Sequence, residues 1–430
     1  MNEQTSTEGL EIVGDLPSAR IKALVKAGDV EQAALVTGAL IAEVFGLQVA
    51  SVELTLDEYS LNSVSGRVRF EDGHTEFFKF HQEEGEEANV TEYYLGHLLA
   101  EAGLPVEVPI RVAGEPGRQV VLYELRTEPR MADVCLESER AKGNGAILSP
   151  DFVTARRALD RSIGDVLLRT LRPASPSSRG SAIHQLFHRR LTDATGHFPG
   201  GRYEPWYLAD PEYSELLDHR FVVNGIEYSS TLRELAEKAA LLLDPDVLAA
   251  EPVVTAHGDD HQGNIWAIAR PGGIDLRLFD PAFAGSNIPA LLAPVKATFH
   301  NVFAHPFWLY HPEEAAERIT VEFDYGSEVV SVRNDIVLSP LRREILDSMA
   351  ELAWAPLLAE LSRRGELPVN WRSTVRAALW CCPLLVTNLV SRTRPESIRH
   401  LGLARVVMAG SEPVAGSDDV SRFLDSVTPK

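Results

Sequence analysis

The spacing of apolar residues changes period several times along this chain. Helical spacing runs through 18–26 and 30–45, after a polar start (1–16) that reads as a loose tail. From residue 52 the period becomes two. Val52, Leu54 and Leu56 alternate with polar residues, a turn-forming stretch follows from Asp57 to Gly66, and Val68 and Phe70 resume the alternation. An Asp72-Gly73 turn then leads to a third strand at 77–80. A Glu-rich segment opens a helix with Val90, Tyr94, Leu95, Leu98 and Leu99 on one face, stopped by Gly103 and Pro105. Segments 110–112 and 119–125 flank Glu115-Pro116-Gly117 as a hairpin.

Beyond residue 126 the pattern is mostly helical, at 151–171 and 181–191. Asn224-Gly225 centres a hairpin at 221–228, and Thr231 with Glu234 fits a capping box that starts the next helix. A short strand at 253–256 runs into a dense polar segment, 257–264, followed by strands at 265–268 and 276–279. From 288 to 401 the spacing reads as helix, broken at Pro306, Pro312 and Gly365. This order predicts an α+β protein with three regions. They are a tail and helical extension (1–45), a small lobe with a five-stranded antiparallel sheet (46–125), and a large helical lobe (126–430) with a helical insert at 126–250.

Composition narrows the function. In 430 residues, 41 Lys and Arg face 62 Asp and Glu, a net charge of −21. That balance repels phosphate backbones and anionic bilayers, which excludes non-specific binding to nucleic acid or membrane. It favours a small cationic partner. The longest apolar stretch, 377–390, contains Pro383, Thr387 and Asn388 and falls short of the ~20 residues a membrane span needs. Three cysteines without a C-x-x-C argue against a disulfide framework or a thiolate zinc site, and a cytoplasmic setting is expected.

The densest polar cluster is His-Gly-Asp-Asp-His-Gln-Gly-Asn at 257–264, with Phe279-Asp280-Pro281 downstream. A hairpin between them would bring Asn264 and Asp280 to one end. An amide oxygen and a carboxylate there suit Mg²⁺, which prefers hard oxygen ligands. Asp259 would lie close enough to take a proton from a hydroxyl. This spacing is that of kinase-type phosphoryl transfer.

The loop resembles that of the aminoglycoside phosphotransferase and choline kinase group, relatives of protein kinases. The resemblance implies a two-lobed protein-kinase-like fold, ATP (with GTP as the alternative donor) and Mg²⁺. It also implies a small hydroxylated acceptor such as an aminoglycoside, aminosugar, sugar or nucleoside-type compound. Asp259 takes the place of the catalytic aspartate, and Asn264 and Asp280 the places of the metal ligands, although Pro281-Ala282-Phe283 departs from the group's usual continuation. Lys79, on an otherwise apolar strand, matches the phosphate-holding lysine, and Glu92, on the next helix, its partner. The stretch 60–66, with Ser63, stands where a phosphate-covering loop belongs but carries one glycine, Gly66. Glu124, Leu125 and Arg126 match the hinge on which adenine rests.

Several of these residues also have plainer readings. A lone strand lysine more often snorkels. His257 and His261 read as braces for the loop, and His300, His305 and His311 as helix core or the wall of an acceptor pocket. A metallohydrolase using His257, Asp259, Asp260 and His261 is the competing class, but it leaves Lys79 and Glu92 unexplained. A catalytically inactive nucleotide-binding relative is the third.

Overall fold

The computed structural model describes residues 17–55, 63–81, 95–115 and 117–430. The expected tail (1–16), Glu92 and the first part of the covering loop (60–62) lie outside the described residues. The chain divides into two compact units, one reaching His97 and including Glu107–Glu128, the other formed by Leu98–Val106 and Pro129–Lys430.

The smaller unit is built on a five-stranded antiparallel sheet. Its strands are β1 (Val49–Thr55), β2 (Ser63–Phe70), β3 (Thr75–His81), β4 (Arg111–Ala113) and β5 (Val120–Glu124), in the order β1-β2-β3-β5-β4. One face is apolar because alternate residues point to it: Val68, Phe70, Phe78, Phe80, Val120 and Leu122. Helices Pro17–Lys26 and Val30–Phe45 close that face with Ile21, Leu40 and Ile41. The N-terminal helices therefore belong to the core of this unit. Asp29 caps the second helix by accepting from Gln32 N at 3.2 Å, and Gly46 ends it in the left-handed region.

Two expectations for this unit change. Residues 63–66 are strand, not covering loop: Ser63 pairs with His81 and Ser65 with Lys79. Gly66 is required by packing within the sheet. A Cβ there would stand 2.1 Å from Glu53 O and 2.8 Å from the Phe78 ring.

The larger unit is mainly helical. Helix Pro150–Thr170 starts at Ser149, which accepts from Phe152 N, with Pro150 in the first turn, where its missing N–H costs nothing. Its Gly164 lets the segment Ala350–Trp354 approach, since a Cβ would lie 1.9 Å from Leu352 O. At its end, Thr170 Oγ1 accepts from Thr255 N at 2.9 Å, fixing strand β8 (Val253–Ala256). The 181–191 segment, expected as one helix, is a series of short 3₁₀ turns.

Strands β6 (Arg220–Val223) and β7 (Ile226–Glu227) form the expected hairpin, with φ +50° at Asn224 and +82° at Gly225. The Thr231–Glu234 capping box is present in both directions. β9 (Ile265–Arg270) and β10 (Gly273–Leu278) pair as an antiparallel hairpin, and β11 (Gly285–Pro289) returns beside β8.

The region 288–401 is not all helical. It contains β12 (Val321–Tyr325) and β13 (Val329–Asn334), which complete a four-stranded sheet in the order β12-β13-β6-β7. β13 runs parallel to β6 and buries Val330 and Val332 beside Phe221 and Val223. Of the apolar stretch 377–390, the part to Leu384 belongs to a buried helix, Trp371–Leu384, and 385–390 follow as buried or half-buried turns. Among the described residues no helix is long and apolar enough to cross a membrane.

Candidate phosphotransfer site

The loop 257–264 leaves β8 through Gly258, whose φ of +77° and whose separation from Phe283 (a Cβ would stand 2.5 Å from its carbonyl oxygen) leave no room for a side chain. His257 braces the loop. Its Nδ1 accepts from Asp259 N at 3.3 Å, so the ring hydrogen sits on Nε2 and is donated to Phe279 O at 2.9 Å. His261 folds back likewise, its Nδ1 accepting from Gly263 N at 3.0 Å. Both histidines thus hold backbone, the role expected for them.

The hairpin returns the chain to Asn264 just before Asp280. Ile265 pairs with Leu278, and Phe279 N donates to Asn264 O at 3.0 Å, one residue before Asp280. Asn264 Nδ2 donates to Asp259 O at 2.9 Å, tying the start of the loop to its end. Asp280 has φ +57°, a left-handed backbone seldom adopted outside glycine and tolerated best by Asn and Asp. Such conformations persist where the surrounding structure imposes them, often at functional sites.

The surroundings of Asp259 hold what sequence reasoning missed. Lys296, on the short helix Val295–Thr298, places Nζ 2.8 Å from Asp259 Oδ1. The ammonium and the carboxylate form an ion pair at hydrogen-bonding distance. His261 Nε2 lies 3.5 Å from the same oxygen. Lys296 is only 7% exposed, and burial pushes its ammonium pKa down, opposed by the charge of Asp259. Burial also lowers His261 to about 4, leaving it neutral at pH 7. Trp354 Nε1 donates to Thr298 Oγ1 at 2.9 Å, which anchors the short helix that carries Lys296. The available signal was a single cation inside Leu291-Leu292-Ala293-Pro294-Val295-Lys296-Ala297, a run otherwise apolar.

Behind the loop, Gln262 N donates to Asn301 Oδ1 at 2.7 Å. Arg342, fully buried, donates to Gln262 Oε1 at 2.7 Å and Asn301 O at 2.8 Å, and pairs with Glu139 at 2.7 Å. It also reaches His305 Nδ1 at 3.1 Å, while His305 Nε2 lies 2.8 Å from Gln262 Nε2 and 3.1 Å from His300 O. His300 and His305 are therefore neutral, buried parts of the scaffold, with pKa values well below the ordinary range because burial disfavours the charged ring. His311, half-buried, stands at the start of the helix Pro312–Arg318 without a side-chain capping bond.

In the smaller unit, Lys79 lies on the sheet face opposite Phe78 and Phe80, half-buried between Ser65 and Val121. Glu124 ends β5, and Arg126 binds Glu107 and Glu124 at 2.8 Å each, with Glu128 at 3.5 Å. The Arg126 guanidinium is thus engaged by three carboxylates, with Leu125 half-buried between Arg126 and Glu124. Among the described residues, no three His, Cys, Asp or Glu side chains are placed to hold a metal ion together.

No family model and no curated protein matches this chain. Solved structures to which it is similar include a microcompartment-associated aminopropanol kinase, with 14% identity, TM-score 0.39, and 92% of this chain against 99% of that one. Another is a Plasmodium vivax ethanolamine kinase, with 11% identity, TM-score 0.37, and 98% against 97%. A third is a macrolide 2'-phosphotransferase from Brachybacterium faecium, with 16% identity, TM-score 0.31, and 79% against 95%.

Proposed function

We propose that this chain transfers a phosphoryl group from ATP, or GTP, to a hydroxyl of a small molecule. The observation that carries this reading is the closed loop in which Asn264 bonds Asp259 O while the hairpin sets Asp280 beside Asn264. The loop carries Asp259 and Asn264, and the hairpin returns Asp280, 16 residues on, to the position after Phe279, whose N–H bonds Asn264 O.

The donor set fits Mg²⁺: an amide oxygen and a carboxylate oxygen, both hard, on a backbone fixed at Asp280 by its left-handed φ. When bound, the ion neutralises charge on the nucleotide's phosphates. Asp259 orients the acceptor hydroxyl and takes its proton. Lys79 is assigned to the α- and β-phosphates with Glu92 as its partner, and Glu124, Leu125 and Arg126 to the base of the nucleotide. The metallohydrolase reading has no observation in its favour, since His257 and His261 spend Nδ1 on loop backbone.

The test is direct. MgATP or MgGTP at millimolar concentration should raise the melting temperature, because a ligand bound only by the folded state stabilises it. Labelled γ-phosphate should then appear on a member of a panel of hydroxylated amines, sugars, nucleosides and hydroxy acids. No shift with either nucleotide would end the reading.

A further inference from the structure

A carboxylate that takes a proton has two oxygens, and the hydroxyl it serves meets one of them. At Asp259 the two are not equivalent. Oδ1 is buried, whereas the residue as a whole keeps 7% exposure. Lys296 Nζ lies 2.8 Å from Oδ1, and His261 Nε2 lies 3.5 Å from the same atom. Because His261 Nδ1 accepts from Gly263 N, the hydrogen of the neutral ring sits on Nε2, the nitrogen nearer Oδ1. Both nitrogens that approach Oδ1 therefore carry hydrogen.

The ammonium is itself held in place. The helix Val295–Thr298 that carries it is tied at its end by Thr298, whose Oγ1 donates to Pro294 O at 2.7 Å and accepts from Trp354 Nε1 at 2.9 Å. Phe283 sets the face of its ring 5.6 Å from Nζ. Lysine is seldom buried without a charged partner, and an apolar side chain would fill this position without the cost of desolvating a charge. Among the described residues, Asp259 is the carboxylate within ion-pairing distance of Lys296. What the lysine adds over an apolar residue is thus its hold on one oxygen of Asp259.

We infer that Lys296 is a positioning residue for phosphoryl transfer: by holding Oδ1 it fixes the plane of the Asp259 carboxylate and leaves Oδ2 as the oxygen that meets the acceptor hydroxyl. The inference rests on the phosphotransferase reading. In the step, the hydroxyl proton passes to Oδ2 as the hydroxyl oxygen bonds phosphorus, and the bond from phosphorus to the departing nucleoside diphosphate breaks. Lys296 neither gives nor takes a proton. It acts through Asp259, from a helix that the polar loop does not contain.

The measurement is steady-state turnover of the full chain with MgATP and an acceptor found in the panel of hydroxylated compounds. Lys296→Met should lower kcat about 10–100-fold, the scale of a reacting group displaced by about an ångström, with the acceptor KM and MgATP affinity within about twofold of wild type. Lys296→Arg, which still offers Oδ1 a charged donor, should recover most of kcat. In an Asp259→Asn background, Lys296→Met should lower kcat little further, because the lysine acts through the carboxylate. Wild-type kcat in Lys296→Met, or fully additive losses in the two variants, overturns the inference. If Lys296→Met alone does not fold, because Asp259 is left buried and unpaired, Asp259→Asn with and without Lys296→Met decides it. Equal kcat is expected of these two, and a further loss of about tenfold or more overturns the positioning role. No MgATP-dependent turnover by wild type on any acceptor would sink the phosphotransferase reading and this inference with it, whereas wild-type turnover matched by Lys296→Met sinks this inference alone.

Discussion

Arg342 and Gln262 are joined by a buried hydrogen bond of 2.7 Å, which ties the middle of the polar loop to a helix, Pro340–Met349, far along the chain. The same guanidinium carries Glu139. Removing one partner leaves the other charge buried and unpaired. Arg342→Met is therefore expected to cost about 3–5 kcal/mol, and the paired change Arg342→Met with Glu139→Leu to recover much of it. Denaturant unfolding of the single and double variants checks this. The double variant should still lose turnover, because the Gln262 side-chain oxygen then loses the Arg342 guanidinium that holds it; a stable double variant with wild-type turnover would show that the loop does not depend on Arg342.

Asp259 and Asp280 should separate chemistry from binding. Asp259→Asn should keep nucleotide affinity and lower turnover by ~10²–10⁴-fold, the usual contribution of a positioned base. Asp280→Asn should weaken Mg²⁺-dependent nucleotide binding as well. Titrating MgATP into both variants and measuring their turnover distinguishes the two roles. Reversed behaviour would mean that the roles are wrongly assigned.

Gly258 should not accept a side chain. With φ +77° and Phe283 O 2.5 Å from the position of a Cβ, Gly258→Ala is expected to cost roughly 1–3 kcal/mol and to displace Asp259. Thermal unfolding together with turnover reads both effects. Gly272→Ala has the same sign of φ and open space around it, so it serves as a control for strain alone.

Glu251 offers a pH test away from the site. Burial pushes its carboxyl up to about 7 from 4.5, and Oε2 has no hydrogen-bond partner. The folded state holds this proton more tightly than the unfolded chain. Glu251 therefore makes the protein less stable as pH rises from about 4.5 to 7, and its full cost is present above 7. Glu251→Gln should raise stability by about 1–3 kcal/mol at pH 8 and change little at pH 4.5. Unfolding at the two pH values decides it; an equal effect at both would place the ionised carboxylate in contact with solvent.

The sheet of the smaller unit was legible because each strand alternates over a single apolar face and its turns carry Asp-Gly or Pro-Gly. The loop 257–264 was legible for a related reason: polar residues packed between buried strands have no bland use. Lys296 was not. It stands far from Asp259 in sequence, and nothing local marks a lysine in an apolar helix as the partner of a carboxylate. Val321-Glu322-Phe323-Asp324-Tyr325 did carry a strand signal, a period of two, which the helical character of its surroundings concealed. That β13 would choose β6, with Val329 opposite Arg220, could not be read from either strand alone.

That parallel pairing has a consequence for how the molecule is assembled. The residues between β6 and β13 include the whole polar loop, the β9–β10 hairpin and Lys296, so the candidate centre lies inside one long chain closure. Closing such a loop costs entropy before any contact repays it, and pairings of this kind form slowly. A fragment ending before Val329 would contain Asp259, Asn264, Asp280 and Lys296, yet would lack β13, the partner of β6, and Arg342, which holds Gln262. Completeness of the site's residues is therefore no guide to where this chain can be shortened.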